Sequence, residues 1–141
     1  MKDSTIITIP SHPKYLSVVR AVSVKMTELH GLSAAEAEDI KLAVDEACSN
    51  VIKHAYEGDT GKRIVVRFRF TKSKLEVVIE DSGKMHPEYI AGRNLDDVRP
   101  GGLGVHLIRR AFDVVAFDEK KKKGNRLILT RYTKNREKHE D

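Results

Sequence analysis

The sequence predicts an α+β fold, a two-layer α/β sandwich in which a mostly antiparallel sheet carries helices on one face. Three observations predict it. Two long segments in the first half of the chain repeat apolar residues at helical spacing. Two central segments alternate apolar and charged residues with period two, as strands with one wet face do. A short helical segment and a hairpin pattern then close the chain.

Taken in order, Thr5-Ile6-Ile7-Thr8-Ile9 reads as a short strand ended by Pro10. A helix is expected from Ser11 or His12 to His30. Leu16, Val19, Val22, Met26 and Leu29 recur at helical spacing, and Pro13 is tolerated in a first turn. Gly31 stands where helices commonly end. Ser33-Ala34-Ala35-Glu36 has the pattern of a capping box, so a second helix is expected from near Ser33 to Tyr56. On its wheel Ile40, Ala43, Val44, Ala47, Val51 and Ala55 form one apolar arc. Glu57 to Gly61 reads as a turn. Ile64, Val66, Phe68 and Phe70 then alternate with Val65, Arg67 and Arg69, and Leu75, Val77 and Ile79 with Glu76, Val78 and Glu80. From Ser82 to Pro100 the periodicity disappears, the pattern of a functional loop or lid. Val105, Leu107, Ile108, Ala111 and Phe112 give a short helix, and Val114 to Phe117 with Leu127 to Tyr132 a closing hairpin.

Composition narrows the function classes. At 141 residues the chain suits one domain, residues 1–141, with the polar stretch 134–141 fraying. There is no apolar run of membrane-spanning length and no basic segment leading into an apolar core, so neither a membrane nor secretion is indicated. Cys48, the one cysteine, falls within the apolar arc and reads as a core thiol. These features point to the cytoplasm. The net charge of +5 raises a nucleic-acid surface, but the sequence has no Trp for stacking. Its largest basic run, Lys120-Lys121-Lys122-Lys123, sits before Gly124-Asn125 between apolar segments, as a solvated hairpin tip does. No direct nucleic-acid partner is expected. Six His and one Cys do not fall in zinc-ligand spacing.

Two placements single out chemistry. Glu46, Asn50 and His54 follow at i, i+4 and i+8 along the second helix, bordering the apolar arc. A carboxylate and a carboxamide there are costly to desolvate without partners, which suits a polar cavity. The bland alternative is a solvated helix flank, and for His54 it is closing the helix. Asp81 has the parity of Leu75, Val77 and Ile79, so it aims at the helix-covered side. Its bland alternative is an Asx-type cap on the turn at Ser82-Gly83.

The ordered set of Glu46 to Tyr56, Leu75 to Gly83 and Gly101-Gly102-Leu103-Gly104-Val105 resembles the three boxes of the ATPase superfamily of gyrase, the heat-shock chaperone and the histidine kinases. Within it, Glu-Ala-Cys-Ser-Asn-Val-Ile-Lys-His-Ala-Tyr followed by Gly-Gly-Leu-Gly resembles the anti-sigma factor serine/threonine kinases. The resemblance spans roughly Ile6 to Tyr132 and implies a histidine-kinase-like ATPase fold. Two departures stand out: Met85 replaces the second glycine of the middle box, and Pro100 precedes the glycine loop behind Arg99.

The chemistry of the residue types agrees with the roles this resemblance implies. Asp81 can accept from the exocyclic amine of adenine, and Gly83 lets the backbone turn closely against the base. Gly101, Gly102 and Gly104, with Leu103 and Val105 in the same loop, would offer backbone N–H groups and a helix N-terminus to phosphate. Asn50 offers Mg²⁺ a neutral oxygen. Glu46 is placed to take a proton from an attacking hydroxyl. The cofactors so implied are ATP and Mg²⁺. The partners implied are a sigma factor, held inactive, and an anti-anti-sigma protein phosphorylated on serine. A homodimer is also implied, with the exposed side of the first helix and the edge near Thr5 to Ile9 as candidate surfaces. The alternative is a nucleotide-gated protein-binding regulator without kinase activity, and a weaker third is a basic nucleic-acid binder.

Overall fold

In the computed structural model, which describes residues 3–84 and 103–133, the alternating segments assemble side by side. Among these residues five strands form one sheet in the order β1-β2-β3-β5-β4, with every neighbouring pair antiparallel. They are β1 (Asp3–Pro10), β2 (Arg63–Phe70), β3 (Lys74–Asp81), β4 (Val114–Phe117) and β5 (Asn125–Tyr132). Three α-helices are described: α1 (Leu16–Leu29), α2 (Ala34–Asn50) and α3 (Leu103–Ala111).

Parity decides which face of the sheet is covered. Ile64, Val66, Phe68, Leu75, Val77, Ile79, Leu127 and Leu129 are all buried, and they share one core with Val19, Ile40, Val44, Ala47 and Ile108 of the helices. The other face carries charge. Arg69 pairs with Glu76 at 3.4 Å, and Glu80 with Arg126 at 3.2 Å, so long side chains cover that face.

The capping box forms as its sequence predicts. The Ser33 hydroxyl accepts from the Glu36 N–H and the Glu36 carboxylate accepts from the Ser33 N–H, both at 3.1 Å. The free oxygen of Glu36 accepts from Arg131 at 3.2 Å, and Arg131 also donates to the carbonyl of Ala111 at 2.8 Å. One guanidinium thus ties the start of α2 and the end of α3 to β5.

The first helical segment differs from its wheel. Pro13–Tyr15 is a 3-10 turn, and α1 begins only at Leu16. Leu29 is 66% exposed, while Ser23 and Thr27 are buried. Their hydroxyls donate to the carbonyls of Val19 and Val24 at 2.8 Å, which leaves both side chains free to join the core. The signature helix also ends differently. Regular α-geometry stops at Asn50 and a π-turn spans Val51–Ala55, closed by the Tyr56 N–H on the Val51 carbonyl at 2.9 Å.

Candidate active site

Asp81 is the last residue of β3, where alternation turns its side chain inward, and it is 5% exposed. Its two oxygens have different surroundings. Oδ1 accepts from the Gly83 N–H at 2.9 Å and from Asn125 Nδ2 at 3.0 Å. Oδ2 is buried and has no hydrogen-bond partner among the described residues. Burial pushes the Asp81 carboxyl above its ordinary range, against the pull of the Gly83 N–H, the Asn125 amide and the Lys121 charge. A buried acceptor left unmade costs about 1–3 kcal/mol. Oδ2 is therefore a buried acceptor unmatched among the described residues.

The turn after Asp81 is fastened to the end of the signature helix. The Ser82 N–H donates to the Tyr56 hydroxyl at 2.9 Å, and that hydroxyl donates to the Arg63 carbonyl. The Lys84 N–H donates to the Ala55 carbonyl at 2.9 Å. A Cβ on Gly83 would lie 2.3 Å from the same carbonyl oxygen, so no larger residue fits while this contact stands. Across the sheet, Asp81 pairs in register with Asn125. Gly124 before it has φ of 71°, and a Cβ there would lie 2.0 Å from the Asp81 carbonyl.

Glu46 and Asn50 lie within the regular part of α2, stacked one turn apart. Glu46 is half-buried. Burial raises its carboxyl above the ordinary range, Lys53 pulls it back, and Asp45 raises it further. Asn50 is 7% exposed, and its side chain makes no capping bond to the turn that follows. His54 leaves the row because the π-turn rotates it relative to an α-helical register, and it is exposed. Among the described residues no three His, Cys, Asp or Glu side chains gather to hold a metal ion.

The sequence matches the family described as Histidine kinase-like ATPase domain over residues 9–131. Serine-protein kinase RsbW of Bacillus pumilus is 33% identical over 76% of this chain and 73% of its own length. The RsbW serine-protein kinase of Listeria innocua is 32% identical over 94% of this chain and 88% of its own. The chain belongs to this family, as an anti-sigma factor serine/threonine kinase type of histidine kinase-like ATPase domain.

Solved structures agree on the fold. The RsbU and RsbW domains of Rv1364c from Mycobacterium tuberculosis superpose with a TM-score of 0.67 at 18% identity, over 92% of this chain and 32% of that longer one. The histidine kinase domain of the blue-light activated kinase EL346 from Erythrobacter litoralis gives 0.52 at 19% identity, over 92% and 64%.

Within this family fold, Asp81 and Gly83 meet the end of the segment that carries Glu46 and Asn50, through the bonds at Ala55 and Tyr56. Gly101, Gly102, Met85, Arg99 and Pro100 lie outside the described residues. Leu103, Gly104 and Val105 form the first turn of α3. Sequence reasoning missed Tyr56 and Asn125. Tyr56 shows only as the end of a helical pattern, and Asn125 reads as part of a hairpin tip. Asn125 has a retrievable signal: it precedes an apolar strand segment by one polar position, which gives it the inward parity of Leu127 and Leu129.

Proposed function

We propose that this chain is an ATP-dependent serine-protein kinase and anti-sigma factor. It binds ATP with Mg²⁺, phosphorylates an anti-anti-sigma protein on serine, and sequesters a sigma factor. The observation that carries the nucleotide reading is the buried Oδ2 of Asp81, without a partner among the described residues, beside a turn too tight for any residue but glycine. The exocyclic amine of adenine supplies the missing donor, and Gly83 admits the base edge against the backbone. The glycine loop from Gly101 and Gly102 through Leu103, Gly104 and Val105 receives the phosphates on backbone N–H groups.

The donor set fits a magnesium ion that keeps most of its shell as phosphate oxygen and water. Asn50, buried and without a cap bond, offers it one neutral oxygen. Mg²⁺ supplies neutralisation of phosphate charge when bound. Glu46 orients the acceptor serine and takes its hydroxyl proton, a task helped by a carboxyl raised through burial. No helix among the described residues is long and apolar enough to cross a membrane. The proposed place of action is the cytoplasm. The chain acts as one ATP-binding unit and pairs as a homodimer.

The test separates a kinase from a nucleotide-gated regulator. Glu46→Gln keeps shape and hydrogen bonding but removes the base, so its effect belongs to the transition state. Transfer of labelled γ-phosphate to the anti-anti-sigma protein should slow by at least about a hundredfold, the low end of what positioned bases contribute, while ATP binding stays near normal. An undiminished rate removes Glu46 as base. A wild type that binds ATP and phosphorylates no such partner favours the regulator without kinase activity.

A further inference from the structure

We infer that Asn125 sets the base selectivity of this site: with the Gly83 N–H it commits Oδ1 of Asp81, leaving Oδ2 as the one carboxylate oxygen open to an exocyclic amine. The inference rests on the nucleotide reading above and goes beyond it, from which residue meets the base to which residue decides the base it meets.

The amide of Asn125 has two N–H donors, and both are used. One reaches Asp81 Oδ1 at 3.0 Å and the other the Lys84 carbonyl at 2.8 Å. A flipped amide would set its oxygen against two acceptors, so this pattern of partners fixes the orientation. The residue is 3% exposed. Its backbone is pinned too, by the register pairing of Asp81 with Asn125 and by the close pass of Gly124 over the Asp81 carbonyl. Asn125 therefore holds the carboxylate at one oxygen and the far side of the Ser82-Gly83 turn at the other donor.

What this leaves is an oxygen that can only accept. An amino group opposite Oδ2 completes a hydrogen bond. A keto oxygen there, as in hypoxanthine or guanine, faces acceptor with acceptor and leaves both unpaired. The selectivity belongs to the pair, because it depends on the carboxylate staying ionised with its Oδ1 side occupied. A second carboxylate in place of the Asn125 amide would share a proton with Asp81. With Oδ1 no longer held by a fixed donor, that proton can instead reside on Oδ2, where the hydroxyl donates to a keto oxygen and opposes an amine.

The experiment compares ATP with ITP, which differ at that position in carrying an amine or a keto oxygen, by calorimetry on the full chain. Wild type should bind ATP at least about tenfold more tightly, the worth of one hydrogen bond to a charged acceptor. In Asn125→Asp the ITP-to-ATP ratio of dissociation constants should fall by about tenfold or more, through weaker ATP and stronger ITP binding. Asn125→Ser, which keeps a single short donor, should give an intermediate ratio, and it decides the matter if the first variant does not fold. Equal weakening of ATP and ITP, with the ratio unchanged, would make Asn125 merely structural and overturn the inference alone. A wild type that binds neither nucleotide overturns the nucleotide reading and this inference with it.

Discussion

In an Asp81→Asn variant the amide carbonyl takes the place of Oδ1, accepting from Gly83 at 2.9 Å and Asn125 at 3.0 Å. The new NH₂ group then stands where Oδ2 stands, so the turn keeps its bonds and the fold survives. Toward ATP the exchange is severe. One bond to a charged acceptor, about 1.5–3 kcal/mol, is lost. An amide donor then opposes the amine and leaves a buried N–H unpaired, about 1–3 kcal/mol more. At 1.4 kcal/mol per tenfold, the weakening should be on the order of a hundredfold or greater. Without nucleotide the sign reverses. Burial holds the Asp81 carboxyl above its ordinary 3.8, so the folded state binds that proton more tightly than the unfolded state. The stability it withholds grows as pH rises from 3.8 through the raised folded value and is full above it. The variant should thus melt higher than wild type at neutral pH, and the difference should vanish in acid below 3.8. Calorimetry with ATP and thermal melts of the nucleotide-free proteins across pH read both effects. A folded variant that binds ATP within about threefold of wild type would refute the adenine assignment. A variant that melts lower at neutral pH would refute the charge argument.

Two neighbouring positions test the frame around Asp81. Gly83→Ala places a Cβ 2.3 Å from the Ala55 carbonyl, where only backbone can yield, so unfolding stability should drop by about 1–3 kcal/mol and ATP binding with it; denaturant titration and calorimetry measure the two, and an unchanged midpoint would show that the turn moves freely. Tyr56→Phe keeps the ring but leaves the Ser82 N–H and the Arg63 carbonyl unpaired, so denaturant titration should show a loss of about 1–3 kcal/mol for each group that water does not reach, and a neutral result would deny the hydroxyl any role in holding the turn.

Local rules carried most of the architecture. The capping box at Ser33 and the alternation of β2 and β3 need only neighbours in sequence, and both form as those rules require. Where a side chain breaks the apolar pattern but satisfies itself on its own backbone, local reading fails. Ser23 and Thr27 look polar and are buried, and the apolar spacing of α1 points instead to Leu29, which is exposed. For Asp81 the parity was legible and the choice between turn cap and ligand acceptor was not. The turn cap is present on one oxygen: Oδ1 accepts from the Gly83 N–H, while Oδ2 has no partner among the described residues. That division depends on Asn125, which lies 44 residues away, and no local pattern reports a partner at that distance.

The π-turn has the same origin and a larger consequence. An α-helical register through Tyr56 puts Glu46, Asn50 and His54 in one row, and nothing in Val51-Ile52-Lys53-His54-Ala55 announces a wider turn. Its cause lies downstream. The Ala55 carbonyl is taken by the Lys84 N–H, the Tyr56 hydroxyl by the Ser82 N–H, and the Ile52 carbonyl by the Gly58 N–H at 2.7 Å. Widening the last turn satisfies these groups together and brings Gly83 hard against the helix end. The strand bearing Asp81 and the helix bearing Glu46 and Asn50 are thereby joined by hydrogen bonds at two adjacent residues, with no flexible segment between them. A displacement of the Asp81 turn must then be felt at the end of α2. That is why Tyr56→Phe, which alters no group assigned to base, metal or proton, should disturb nucleotide binding as Gly83→Ala does.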